Sequence, residues 1–268
     1  GGTKTMAVAA EVAPDRTIHV VARAEAGSGN CNAVGKEKAV GNVISAVNQA
    51  VQQARDCSEG RQVHVDAICL STAGVDREGD EVPFQVGLEN AGLASTSSSE
   101  GNGNRKDFGE QALVKVVKVV NDAHAALASG VLGSDSSKPM EGIVLIVGTG
   151  TIAFGVRRDG QTARVSGWGP AFSDTGSGYD IGHRALSAAA RHHDGRGEKT
   201  DLTSRLIGHL ELSTPDELIT WAYSRQGWAP IASLAPLVFS AASDGDAVAK
   251  QIVSHCAAEL VRCIDTLE

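Results

Sequence analysis

IVLIVGTGTIAFGV, residues 143–156, reads as two strands folded about a glycine turn. Ile143 to Val147 is an unbroken apolar run, which suits a strand buried on both faces. Gly148-Thr149-Gly150 turns the chain and Thr151 to Val156 continues as a second strand. Arg158-Asp159-Gly160 is a hairpin turn, and Thr162 to Val165 is the return strand.

The beginning of the chain carries the same unit. Gly1-Gly2-Thr3-Lys4-Thr5 leads into a strand over Thr5 to Ala10, a turn at Ala13-Pro14-Asp15, and a second strand over Thr17 to Ala24. Two copies of one glycine-turn unit imply two similar domains with a cleft between them, here 1–139 and 140–268. The fold class expected is therefore α/β.

Between the copies, Val40, Val43, Ile44, Val47, Val51 and Ala54 recur at helical spacing. Gln62 to Leu70 alternates like a strand, Val114 to Val120 is β-rich, and Ala123 to Ser129 is Ala-rich and helical. Residues 76–110 break these patterns, and the polar tract Ser95 to Asn104 reads as a disordered insertion or long surface loop. After Ser177 a helix is expected with Ile181, Ala185, Leu186 and Ala189 on one side. Further helices are expected over 200–210, 215–223, 231–242 and 246–267.

Composition narrows the function. The 268 residues are 42% apolar and 21% charged, with a formal net charge of -8. That charge argues against a nucleic-acid partner, which needs a basic surface. Cys31, Cys57, Cys69, Cys256 and Cys263 are odd in number and widely spaced, so neither a disulfide framework nor a zinc site is expected. A reducing, cytoplasmic setting follows from this cysteine usage. No apolar run is long enough for a membrane span.

Glycine-rich turns let backbone N–H groups converge on an anion. Gly1, Gly2, Thr3 and Lys4 form one candidate phosphate cradle; Gly148, Thr149 and Gly150 form the other. Asp122 stands where a strand passes into a helix. It serves either as the helix N-cap, a role open equally to Asn121, or as a general base for an attacking hydroxyl. Asp174 is a second helix-cap candidate, or an acceptor for sugar hydroxyls. Trp168 between Gly167 and Gly169 is either a sugar-stacking platform or a core aromatic. Asn30 and Asn32 offer paired amides, with turn formation as the plainer role. His192, His193 and Asp194 are taken as exposed residues rather than metal ligands, because adjacent histidines on a helix point apart.

Taken together, GGTKT (1–5), GSGNCNAVG (27–35), LSTAGVDR (70–77), VVNDAHAALASG (119–130), IVLIVGTGTIAFG (143–155) and SGWGPAFSDTGSGYDIG (166–182) resemble the N-acetylglucosamine kinase branch of the BadF/BadG/BcrA/BcrD ATPases. These belong to the actin-like sugar kinase superfamily. The resemblance implies two RNase-H-like domains hinged over a cleft that takes Mg2+, ATP and an amino sugar, with a homodimer allowed. It implies Asp122 as catalytic base and Thr3 and Thr149 at the ATP phosphates. It also implies Asn30, Thr151, Gly167, Trp168, Gly169 and Asp174 at the sugar. Ile152 departs from the asparagine of animal members. The family's metal-side acidic residue and its adenosine loop have no counterpart among the 268 residues, so a chain incomplete at both ends is expected. A different sugar kinase (glucosamine or ROK-like), a dehydratase activator and a sugar-binding remnant without turnover are the competing readings. ROK-like kinases usually carry a Cys-rich zinc motif and activators a cluster-binding cysteine set, and neither occurs here.

Overall fold

A computed structural model describes residues 4–15, 17–58, 63–75, 77–94, 114, 116–132, 139–224 and 227–268. The chain divides into two compact units, Gly1–Ala125 and Ala126–Glu268. The expected turn residues Gly1, Gly2 and Thr3, and the tract Ser95 to Asn104, lie outside the described residues.

In the first unit β1 (Lys4–Val12) and β2 (Ile18–Gly27) form an antiparallel pair, with a register shift between Ala9 and Ala10. A one-turn helix, α1 (Cys31–Val34), and a long helix, α2 (Lys36–Asp56), follow. Glu37 in the first turn and Arg55 in the last complement the dipole of α2. Its buried stripe is Ala39, Val43, Ala46, Ala50 and Ala54, which keeps Val43 and Ala54 of the expected face and replaces Val40, Val47 and Val51 with the preceding alanines. The physical reason is close approach: small alanines let the helix backbone lie near β1 and β2, and Val40 and Val47 are left partly buried at the rim.

β3 (Ala67–Thr72) and β4 (Val116–Asn121) pair in parallel, from Ala67 opposite Val116 to Thr72 opposite Asn121. The alternating run expected from residue 62 becomes strand only at Ala67, where the ladder with β4 begins. Between these strands lies α3 (Val82–Asn90), inside the region expected to lack regular structure. Phe84 and Leu88, one turn apart, are fully buried and anchor it. Nine residues carrying only two deep apolar anchors make a weak periodic signal. α4 (Asp122–Leu132) follows β4 directly.

The second unit opens with an antiparallel sheet in the order β5-β6-β7: β5 (Gly142–Val147), β6 (Thr151–Val156) and β7 (Thr162–Ser166). Val147 pairs with Thr151 across the glycine turn. Helices α5 (Gly178–His193), α6 (Leu202–His209), α7 (Glu217–Ser224), α8 (Ala229–Ala232), α9 (Ala235–Ser243) and α10 (Ala247–Asp265) then follow. The single helix expected over 231–242 is thus two, α8 and α9. Ile181, Ala185, Leu202, Leu206, Leu234, Val238, Ala249 and Ile252 form the helical core. Gly182 has room for no side chain: a β-carbon there would overlap the Ile231 carbonyl, which brings α5 and α8 into backbone contact.

Candidate active site

The first unit concentrates its candidate residues at the carboxyl ends of its two parallel strands, where open α/β sheets commonly bind ligands. Thr72 ends β3, and its buried hydroxyl donates to the Gly29 carbonyl at 3.0 Å. A β-carbon on Gly29 would lie 2.8 Å from Thr5 Oγ1 and 3.3 Å from Thr72 Oγ1, so the 27–35 loop is wedged between β1 and β3. Asn30 caps α1, accepting from the Asn32 N–H at 2.9 Å, and its Oδ1 would sit 2.9 Å from a β-carbon on Gly74. The loop therefore uses Asn30 structurally, while Asn32 remains exposed.

Asn121 and Asp122 divide the two roles that were open for them. The Asn121 side chain accepts the Ala123 N–H at 2.8 Å, so the cap belongs to Asn121. Asp122 is the half-buried first residue of α4, and among the described residues no hydrogen bond or ion pair holds its carboxylate. Burial, and then the Lys118 charge, hold the imidazole of His124 below its usual range, which keeps it neutral at pH 7.

The second unit builds its candidate site around the Gly148–Gly150 turn. The Gly178 N–H donates to the Gly148 carbonyl at 2.8 Å and the Tyr179 N–H to the Thr149 carbonyl at 3.3 Å. The turn is thereby clamped onto the first residues of α5. Asp174 is buried, accepts the Gly169 N–H at 3.0 Å, and rests against Gly150, where a β-carbon would overlap its Oδ2. Asp174 is not the cap of α5; that is Ser177, whose hydroxyl accepts the Asp180 N–H at 3.1 Å.

Thr151 follows the turn with a buried hydroxyl, and among the described residues neither it nor the Ser173 hydroxyl has a hydrogen-bond partner. Trp168 is 63% exposed, which removes the core-aromatic reading, and the Arg164 guanidinium lies 5.6 Å from its ring centroid. The backbone is left-handed at Ser166, Gly167 and Gly169, with φ of 65°, 73° and 98°. Ser166 keeps that conformation while its hydroxyl donates to the Ser173 carbonyl at 2.7 Å.

The structure thus brings Gly148, Thr149, Gly150, Thr151, Gly169 and Asp174 together. Lys4 is committed elsewhere: its ammonium pairs with Glu25 at 2.7 Å on the exposed surface of the β1–β2 hairpin. Among the described residues no group of three or more His, Cys, Asp or Glu side chains could hold a metal ion. His192 is half-buried and bonded to the Thr203 hydroxyl at 3.0 Å, and His193 faces Asp216 at 3.6 Å. Sequence reasoning missed Thr72, which ties the asparagine loop to β3, and Asp180, which accepts the Gly176 N–H at 3.0 Å. The S-x-x-D spacing of Ser177 and Asp180 was the available signal for the second.

The sequence profile of the BadF/BadG/BcrA/BcrD ATPase family matches residues 1–268. The chain belongs to this family. An N-acetyl-D-glucosamine kinase from Dictyostelium discoideum is 32% identical over 272 aligned residues, covering 100% of this chain and 76% of that protein. An N-acetylmuramic acid/N-acetylglucosamine kinase from Clostridium acetobutylicum is 36% identical over 220 residues, covering 81% of this chain but only 60% of that protein. A solved structure from Chromobacterium violaceum superposes on 100% of this chain and 80% of its own, at 23% identity and a TM-score of 0.70. One from Porphyromonas gingivalis covers 94% and 73%, at 16% identity and a TM-score of 0.62. At these identities the structural likeness shows the mixed α/β fold of this family member. No helix among the described residues is long and apolar enough to cross a membrane.

Proposed function

We infer that this member of the family transfers the γ-phosphoryl group of ATP to N-acetylglucosamine at its 6-hydroxyl. The names and identities of the two kinase relatives support the substrate class. The observation that carries the residue-level reading is the division of labour at the end of β4. Asn121 caps the helix, so the Asp122 carboxylate is not spent on the backbone.

In this reading Asp122 accepts the proton of the sugar hydroxyl as its oxygen attacks phosphorus. The Gly148–Gly150 turn, with Gly1, Gly2 and Thr3 as its counterpart, holds the phosphates, while Lys4 stays with Glu25. Asp174 accepts hydrogen bonds from sugar hydroxyls, and the N–H of Gly169 fixes the orientation of its carboxylate. Trp168 offers an exposed ring face to the sugar. Asn30, Asn32, Thr151, Gly167 and Gly169 complete the sugar contacts. The two units, Gly1–Ala125 and Ala126–Glu268, stand in this reading for the two RNase-H-like domains expected over 1–139 and 140–268, of a cytoplasmic enzyme.

Mg2+ takes oxygen donors and keeps several waters. Among the described residues no cluster of acidic side chains stands ready for it, so in this reading the phosphate oxygens and waters would be its ligands. Mg2+ would supply neutralisation of phosphate charge as the bond to the leaving group breaks.

The test is Asp122→Ala in a coupled ADP-release assay with N-acetylglucosamine. A kcat loss of about 10²–10⁴-fold is expected. Thermal stability should change by no more than about 1 kcal/mol, the scale of a helix-terminus charge. Full activity in that variant refutes the assignment of Asp122. A sugar panel that includes glucosamine and N-acetylmuramic acid tests the substrate.

A further inference from the structure

Away from the Gly148–Gly150 turn, α5 and α10 enclose an open pocket of about 620 Å³. That volume lies within the range of small-molecule sites. Asp180, His183, Arg184, Arg191, Arg196 and Glu198 are among its lining residues. Three arginines are thus among the residues that line it, although the whole chain carries a net charge of -8.

The three are differently committed. Arg184 donates to Asp180 at 2.9 Å, and both ends of that pair are partly buried. Arg196 pairs with Asp194 on the exposed surface. Among the described residues no carboxylate pairs with Arg191. Its backbone carbonyl, however, is fixed, accepting the Arg196 and Gly197 N–H groups at 2.9 and 2.8 Å. The exposed Arg191 side chain therefore hangs from a hydrogen-bonded backbone corner rather than from a loose loop.

The lining is mixed. Glu198 is a carboxylate acceptor, and Ser187 and Gln251 are neutral polar groups beside the arginines. Guanidinium forks suit phosphate oxygens, and carboxylates and amides suit sugar hydroxyls. A ligand with one phosphate end and a polyol body satisfies both halves, whereas a polyanion would meet Glu198 and Asp180 unfavourably.

We propose that this pocket is a second binding site, separate from the Asp174 loop, for a hexose phosphate, with Arg191 as its principal phosphate ligand and Glu198 as a hydroxyl acceptor. The site does not depend on the kinase assignment. Its lining does touch the candidate active site through one chain of bonds: Arg184 holds Asp180, and Asp180 holds the Gly176 N–H two residues beyond Asp174.

Calorimetry on the full chain tests this, with N-acetylglucosamine 6-phosphate, glucose 6-phosphate, AMP and inorganic phosphate as separate titrants. Saturable binding of a hexose phosphate is expected, unchanged by saturating N-acetylglucosamine. Arg191→Ala should weaken it about 10-fold or more, the usual scale for a charge-assisted bond. Glu198→Gln should weaken the hexose phosphates and leave inorganic phosphate unaffected. Removing the Arg191 side chain beyond its β-carbon leaves the carbonyl that fixes the corner in place, so the variant folds. Four results overturn the proposal: no binding of any titrant, binding indifferent to Arg191→Ala, AMP or inorganic phosphate binding as tightly as the sugars, or displacement by N-acetylglucosamine. The last would put the ligand in the Asp174 loop. Each reads binding alone, so an inactive kinase leaves the result interpretable.

Discussion

The Asp174 carboxylate rests on the backbone of Gly150, in the space where any other residue would carry its β-carbon. The phosphate-turn candidate and the sugar-hydroxyl candidate are therefore one packed unit. Gly150→Ala must push Asp174 aside. A misplacement of about 1 Å at such a site costs on the order of 10²-fold in kcat/KM. Steady-state kinetics on Gly150→Ala, beside Asp174→Ala, measures it; wild-type kinetics in the glycine variant would show that Asp174 is not tied to the turn.

The capping assignment separates neighbouring residues. Asn121→Ala removes the bond to the Ala123 N–H and should cost about 1 kcal/mol of stability. Asp122→Ala should leave stability less affected while lowering kcat about 10²–10⁴-fold. Chemical denaturation of the two variants side by side checks the contrast, and a reversed order would return the cap to Asp122.

Ser166 holds a left-handed backbone, φ 65°, and its hydroxyl bonds to the Ser173 carbonyl. Ser166→Ala loses the bond and keeps the strain. Ser166→Gly loses the same bond but relieves strain of about 1 kcal/mol. The glycine variant should therefore be the more stable of the two by roughly that amount. Thermal melts of both variants read the difference directly.

Asp246 caps α10 through the Ala249 N–H at 2.7 Å, and also accepts the Asp201 N–H and the Thr200 hydroxyl. Partial burial alone would raise its pKa, but these bonds outweigh it and hold the carboxyl below its ordinary 3.8. A folded-state value below the unfolded one gives stability that is complete above pH 3.8 and is lost as pH falls through the lowered value. Asp246→Ala should cost about 0.5–2 kcal/mol at neutral pH. The gap between variant and wild type should close under acid, as pH-dependent unfolding curves would show.

Cys256 is buried beside Asp180, its thiol 3.5 Å from Oδ2, and burial followed by that carboxylate pushes its pKa up to about 12. Cys57 and Cys69 are exposed. Because the thiolate is the reactive form, Cys256 should alkylate on the order of 10³-fold more slowly at pH 8 than an ordinary thiol. Mass spectrometry after iodoacetamide treatment should find Cys57 and Cys69 modified first. Early modification of Cys256 would mean that α5 and α10 separate readily.

Much of the fold was legible locally. The unbroken run Ile143 to Val147, the Gly-Thr-Gly turn and the alternation after it correspond to β5 and β6 almost residue for residue. The apolar run announced the strand but not its place: β5 is the edge of its sheet and only part-buried, with Val147 44% exposed, because β6 covers it on one side alone. α3 stayed hidden because its burial rests on Phe84 and Leu88 alone, while Val82 and Val86 stay exposed and blur the helical period. The α2 face was displaced because apolar periodicity favours valine, whereas close packing favoured alanine. At the candidate site, residue types and order pointed to Asp122, Asp174 and the glycine turn, but not to which acid caps a helix. That choice depends on where an amide N–H points, and one-dimensional spacing does not contain it.

By itself the amino-acid sequence determined the strand–turn–strand units, the unusual run of small residues around Gly148 and Asp174, and membership of an ATPase family. These follow from covalent order and from which side chains water rejects. Only tertiary structure decided that Asn121 rather than Asp122 satisfies the helix, that Asp174 fills the space over Gly150, and that Arg184, Arg191 and Arg196 line one pocket with residues of α10. Those are contacts between groups distant along the chain or set by backbone direction, and their geometry exists only once the chain has closed on itself.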